Sequence, residues 1–249
     1  MADASEHAYA RALTEEGRER KWPNVRPRNA ATLIILDHSK GGAKVLLGRR
    51  HADHKFMPGK FVFPGGRVEP GDRLMRVASP LAAAVEEKLD ARPRRPSPHL
   101  GRALALAAIR ETFEETGLAL GVRVEKAHPV APGGGWARFA AANIAPALDR
   151  LDFIARAITP PRRPKRFDTR FLVADASLIV HKEDGVVSPT SELVELVWMP
   201  LDEATRLDLP AITRIVLGEL ADAMKSGMRI DRPRPFFYER NRVWRRDEL

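Results

Sequence analysis

Apolar positions recur with two different spacings along the chain. Residues 31–36 and 44–49 are β-branched and aliphatic runs, separated by the turn-forming stretch Asp37-His38-Ser39-Lys40-Gly41-Gly42. That is the pattern of a hairpin with a long loop. Phe61-Val62-Phe63 is a short strand stopped by Pro64-Gly65-Gly66, and residues 151–158, 171–176 and 193–199 read as further strands. A helical spacing governs residues 102–116, with Gly117 as its C-terminal stop. A second long helix opens at Pro210 and runs to Met224, with Ile212, Ile215, Val216 and Leu220 on one face. Residues 1–28 are polar and charged, with a short helix expected over 8–20 before Pro23 and Pro27. Residues 73–101 look inserted: a helix over 81–89, then a loop rich in Pro and Arg. Strands mixed with helices predict an α/β domain over 29–230, flanked by the N-terminal extension and a basic, aromatic tail over 231–249.

The chain has 249 residues, no cysteine, and 42 Lys plus Arg against 33 Asp plus Glu, for a net charge of +9. Disulfides, thiolate metal sites and cysteine nucleophiles are excluded. No apolar run approaches the ~18 residues needed to span a bilayer, and the charged N-terminus is unlike a secretory signal. A cytoplasmic protein without membrane contact is the expectation. The arginine excess suits an anionic ligand, although composition alone favours solvated charge. No H-E-x-x-H zinc pair, G-x-S-x-G elbow or Walker-type loop is present.

The chemistry concentrates in Arg110-Glu111-Thr112-Phe113-Glu114-Glu115-Thr116-Gly117. At roughly 100° per residue, Leu106, Ile109 and Phe113 share one apolar arc, and Glu111, Glu114 and Glu115 share the opposite side. Helix stability does not ask for three carboxylates crowded together. A hard divalent cation would relieve the repulsion, and carboxylate oxygens are the ligands Mg²⁺ or Mn²⁺ prefers. Arg110 lies one turn before Glu114 and can brace it. Upstream, Gly65-Gly66 follows a strand and lets backbone approach a ligand closely.

These two segments resemble the signature of the Nudix hydrolases, G-x5-E-x7-R-E-U-x-E-E-x-G-U with U aliphatic. Gly66, Arg110, Glu111, Glu114, Glu115, Gly117 and Leu118 match it. Thr112 stands at an aliphatic position and Asp72 at the first glutamate. The signature is split by about 30 residues, which fits the inserted segment. That split, with Phe56-Met57-Pro58-Gly59 upstream and residues 166–171 downstream, resembles the subgroup that includes the peroxisomal acyl-coenzyme A diphosphatase. The bacterial coenzyme A diphosphatase element before F-P-G-G is absent.

The resemblance implies an α/β/α sandwich with a mixed β-sheet and an insertion inside the signature. It implies metal-dependent hydrolysis of a pyrophosphate bond in a nucleoside diphosphate derivative. Coenzyme A or acyl-coenzyme A leads, ahead of ADP-ribose, NADH or a dinucleoside polyphosphate, and ahead of a non-catalytic ligand sensor of the same fold. Glu111, Glu114 and Glu115 with the Gly66 carbonyl would hold Mg²⁺ or Mn²⁺, with Arg110 completing the catalytic set. Glu192 or Glu195 is the candidate general base. Arg49, Arg50 and Arg67, with Lys60, are candidates to hold phosphates. The roles of Arg166 and Asp168 stay open. The expected partner is a small nucleotide-type molecule rather than nucleic acid, and a homodimer is allowed.

Overall fold

The computed structural model describes residues 9–14, 20–39, 41–54, 57–93, 97–125 and 132–249. Lys55 and Phe56, the ends of the expected first helix and part of the Pro/Arg loop lie outside the described residues. Alternation sets the architecture. β1 (Arg28–Asp37) sends Leu33 and Ile35 to one face and Ile34 and Leu36 to the other, and all four are buried. Both faces must therefore be covered.

The described residues build a nine-stranded mixed sheet. β2 (Lys44–Arg50) pairs antiparallel with β1, and β3 (Phe61–Val62) and β4 (Gly65–Arg67) add on β2 and β1. Two small pairs lie outside this sheet: β5 (Leu118–Leu120) with β10 (Ile179–Lys182), and β6 (Val122–Arg123) with β7 (Ile144–Ala145). β8 (Asp152–Ile158) runs antiparallel to β9 (Phe167–Asp175), which lies parallel to β1. β11 (Leu193–Pro200) closes one side of the sheet on β2. On the other side β12 (Pro235–Arg240) pairs parallel with β8 and carries β13 (Val243–Glu248).

One face is covered by α1 (Ala83–Asp90), α2 (Leu100–Thr116) and α3 (Gly135–Ala141), through Val85, Leu89, Leu104, Ile109, Phe113, Trp136 and Phe139. The other is covered by α4 (Ala211–Lys225), through Ile215, Val216 and Leu220. This is the expected α/β/α sandwich.

Three segments are more deeply integrated than their composition suggests. Residues 73–101 supply Met75, Leu81, Val85, Leu89 and Leu100 to the first core, so the insertion packs as part of the sandwich. Residues 235–248, expected as a tail, form two strands of the main sheet, because alternate residues Phe237 and Trp244 find apolar cover beside α4. Leu13, from the charged N-terminal segment, is buried in the same core, and Tyr9 meets Phe237 edge-on. Among the described residues no helix is long and apolar enough to cross a membrane.

Candidate active site

α2 is the element that places the charges. It is buried on nearly every side, including Arg110, Thr112 and Glu115, so its acidic face is not a solvated one. The helix stops at Gly117, whose φ of 76° few other residues tolerate.

Arg110 organises the group. Its Nε donates to Asp72 Oδ1 at 2.8 Å, its Nη1 to Glu111 Oε1 at 3.0 Å and Glu114 Oε2 at 2.7 Å, and its Nη2 to the Arg67 carbonyl at 2.9 Å. Burial works against this charge. The hydrogen bonds to Asp72 and the charges of Glu111, Asp72 and Glu114 outweigh it and hold the guanidinium protonated. Asp72 is fully buried and also accepts from the Glu69 amide at 2.7 Å and Trp136 Nε1 at 2.9 Å. Asp72 and Arg110 are 38 residues apart in sequence. Their ion pair, with the Arg67 carbonyl, therefore joins the two halves of the split signature.

The glutamates separate into different environments. Glu111 faces the glycine turn so closely that a Cβ on Gly66 would overlap its carboxylate. Glu115 accepts the Gly65 amide at 3.0 Å. Glu114 turns the other way, accepting the Gly135 amide at 2.9 Å, and a Cβ on Gly135 would overlap it. Burial pushes Glu111 up to about 7, with Arg110 pulling down and Glu114 adding repulsion. Glu115 is pushed well above the usual carboxylate range, first by burial and then by the charges of Glu192 and Glu111.

Glu111, Glu115 and Glu192 line one end of a cleft of about 860 Å³ together with Gly65, Gly66, Arg50 and Arg67. Arg50 Nη2 pairs with Glu192 at 2.6 Å, and Arg67 with Glu69 at 3.0 Å. Two candidates stand outside the cleft lining. Arg49 pairs with Glu195 at 2.7 Å on the surface, and Lys60 pairs with Asp208 at 2.7 Å. Of the two candidate bases, the structure brings Glu192 to the cleft and leaves Glu195 on the outer side of β11.

Among the described residues, no three histidine, aspartate or glutamate side chains gather closely enough to cage a metal ion. Glu111 and Glu114 both accept from Arg110 Nη1, but Glu114 also accepts the Gly135 amide and stays out of the cleft lining, which Glu111 and Glu115 reach. The donor chemistry still fits a hard cation. Glu115 is buried and Glu111 partly so, the two repel one another beside a turn stripped of side chain, and a divalent ion would remove the cost of ionising both.

The open roles downstream are structural. Arg156 makes a two-pronged pair with Asp168, both bonds at 2.7 Å, and donates to the Ala91 and Arg92 carbonyls. Arg166 donates to the Thr159 and Val25 carbonyls and to Asn24 Oδ1. Further cleft-lining residues were not assigned to the site from sequence, among them Thr32, Thr169 and Phe171 on its sheet floor, and Leu13, Ile212 and Trp244 from three distant segments. Strand parity could have marked the first three. Nothing local marks the last three.

No family model matches the chain. A Caenorhabditis elegans protein carrying the name nudix hydrolase 7 is 28% identical over 181 residues, which cover 69% of this chain and 51% of the relative. The matched part thus spans about half of that relative's length. The crystal structure of a Nudix hydrolase from Alicyclobacillus acidocaldarius is 29% identical and superposes with a TM-score of 0.59, covering 81% of this chain and 96% of that one. A MutT protein from Bacillus halodurans is a looser likeness, at 15% identity and a TM-score of 0.43 over 88% and 97% of the two chains. The architecture is the Nudix sandwich, and the sequence likenesses support a place in the Nudix hydrolase family.

Proposed function

We propose that the protein is a metal-dependent pyrophosphohydrolase that cleaves the diphosphate bond of a nucleoside diphosphate derivative, coenzyme A or acyl-coenzyme A first among the candidates. The observation that carries this reading is the acidic end of the cleft. Glu111, Glu115 and Glu192 share it with a bare Gly65-Gly66 edge and with Arg50 and Arg67. Glu111 and Glu115, with the Gly66 backbone, are the residues that would hold Mg²⁺ or Mn²⁺. When bound, such an ion supplies Lewis acidity toward phosphoryl oxygens and lowers the pKa of water.

The chain's own groups do the rest. Arg110 fixes Glu111 and Glu114 in place through its contacts. Arg50 and Arg67 neutralise charge developing on the phosphates. Glu192, held by Arg50, takes the proton of the attacking water as general base. Its place in the cleft lining, which Glu195 lacks, supports Glu192 over Glu195 for this role.

The test is a screen of coenzyme A, ADP-ribose, NADH and dinucleoside polyphosphates with Mg²⁺ or Mn²⁺, identifying the products. Hydrolysis at a diphosphate, abolished by chelation, is expected. Tight binding of one of these compounds with no turnover under any metal would overturn catalysis and leave a ligand sensor.

A further inference from the structure

The cleft has a second, oppositely charged end. β1 and β9 lie parallel in register, Arg28 opposite Phe167, Ala30 opposite Thr169 and Thr32 opposite Phe171. All six side chains line the cleft, as alternate residues on one sheet face must. Thr32 sits against Gly65, at the acidic end, since a Cβ on Gly65 would meet its Oγ1 at 2.7 Å. Arg28 lies four residues along the same strand, about 13 Å away. Around Arg28 the cleft is lined by Arg26, Arg163 and Lys165.

This wall is held in place. Arg166 spends its guanidinium on the Thr159 and Val25 carbonyls and on Asn24, tying the Pro/Arg segment between β8 and β9 to the strand entering β1. Among the described residues, Arg26, Arg28 and Lys165 have no ion-pair partner. Cations gathered at one end of a cleft, with carboxylates at the other, focus a field that attracts anions to that end.

We propose that this wall is a second anion subsite, which selects substrates bearing a phosphomonoester set apart from the diphosphate being cleaved. The proposal rests on the reading that cleavage occurs at the acidic end. With that end occupied by the diphosphate, the ~13 Å to Arg28, shortened by the reach of arginine and lysine side chains, is the scale of a nucleotide. A ribose phosphate or a similar monoester would lie against Arg28 and Lys165. Guanidinium and ammonium groups bind such oxygens through charge-assisted hydrogen bonds.

Binding and turnover test it separately. Titration calorimetry compares adenosine 3′,5′-bisphosphate with AMP, in the wild type, in Arg28→Ala/Lys165→Ala, and in Lys225→Ala as a charge control on an exposed part of α4. The wild type should bind the bisphosphate about tenfold tighter or more. The double variant should bring that ratio near one with AMP affinity retained, and the control should keep it. Matching melting curves establish that the double variant is folded. An equal preference in wild type and double variant, or none in the wild type, overturns the subsite.

Turnover is then measured on pairs differing by one ribose phosphate, coenzyme A with dephospho-coenzyme A and NADPH with NADH. The double variant should lose kcat/KM only on the phosphorylated members. Equal losses on both members also overturn the subsite. If no diphosphate is cleaved while the binding preference persists and responds to the double variant, the hydrolytic reading has failed and the anion subsite stands.

Discussion

The described residues hold two buried charge clusters, and they are built to opposite ends. In one, a single cation, Arg110, stands among Asp72, Glu111 and Glu114, with Glu115 one turn away and bonded to the glycine turn. In the other, a single carboxylate, Asp168, takes Arg156 through two bonds and Arg170 at 3.0 Å, under the aromatic face of Phe236. The first cluster has surplus negative charge and opens on the cleft. The second has surplus positive charge and is sealed. Burial pulls Arg170 down to about 10, so it remains charged near neutrality, and its Nε and Nη2 have no partner among the described residues. The second cluster joins the inserted segment, β8 and β9. Both clusters keep unbalanced charge, and what separates them is access: only the first reaches the cleft, where a ligand could compensate it.

The largest expected effects are on stability, and they strike both clusters alike. Removing Asp168 leaves Arg156 and Arg170 without their paired carboxylate, and removing Asp72 leaves Arg110 Nε and Trp136 Nε1 without acceptors, each at a cost of about 3–5 kcal/mol. Asp168→Ala and Asp72→Ala should each lower the denaturation midpoint accordingly, by roughly 10 °C in a chain of this size. The clusters should part in activity. Asp168→Ala, assayed below its melting transition, should keep its turnover per folded molecule. Asp72→Ala should lose most of it, because Arg110 then keeps only the Arg67 carbonyl as its anchor on the upstream half of the site. Equal retention of activity in both variants would remove the distinction drawn between the clusters.

Glu115→Gln should reverse the pattern. The amide oxygen can still accept from Gly65, and repulsion with Glu111 and Glu192 disappears, so the metal-free protein should melt no lower than the wild type. Hydrolysis should fall by about two orders of magnitude or more, the usual scale for loss of a central catalytic group. A variant with wild-type-like turnover would show that this carboxylate has no part in the chemistry.

How far the sequence carried depends on distance along the chain. The helix with its glutamates and Arg110, the strands near Leu33 and Leu46, and the glycine turn were readable because periodicity and turn chemistry act over a few residues. The bond from Asp72 to Arg110 was not, since nothing local says that a loop of 38 residues closes on itself through a buried ion pair. Nor could periodicity foretell that Glu114 would turn to the Gly135 amide, a contact 21 residues away. Leu13 and Trp244 stand at opposite ends of the chain and meet the same cleft only because the final hairpin extends the sheet. Composition made both ends look like appendages. Their scattered apolar residues are what fasten them.

pH should separate the clusters further. A carboxyl whose folded pKa is raised binds its proton more tightly folded than unfolded. It therefore contributes stability below its unfolded value, near 4.5, and that contribution is lost as pH rises through the folded value, about 7 for Glu111. Chelated protein should become less resistant to denaturant between about pH 5 and 7. Glu111→Gln should flatten that slope, and Mg²⁺ or Mn²⁺ should raise the melting temperature more at pH 8 than at pH 5.5. A wild-type slope unchanged in Glu111→Gln would place the titration elsewhere.

The smallest effect discriminates between neighbouring arginines. Arg49 and Glu195 form a surface pair, each side chain 44% exposed, outside the cleft lining. Exposed pairs contribute about 0–1 kcal/mol. Arg49→Ala should therefore shift stability within that range and leave KM for the best substrate unchanged. Arg50 is one residue further on, so its side chain falls on the opposite face of β2, where it is 11% exposed and bonded to Glu192 in the cleft. Arg50→Ala should raise KM and lower kcat, since the carboxylate assigned as base loses the contact that holds it. Steady-state kinetics of the two variants side by side read this directly. If Arg49→Ala raised KM as much as Arg50→Ala, strand parity would not be what decides which of the two arginines meets the phosphates.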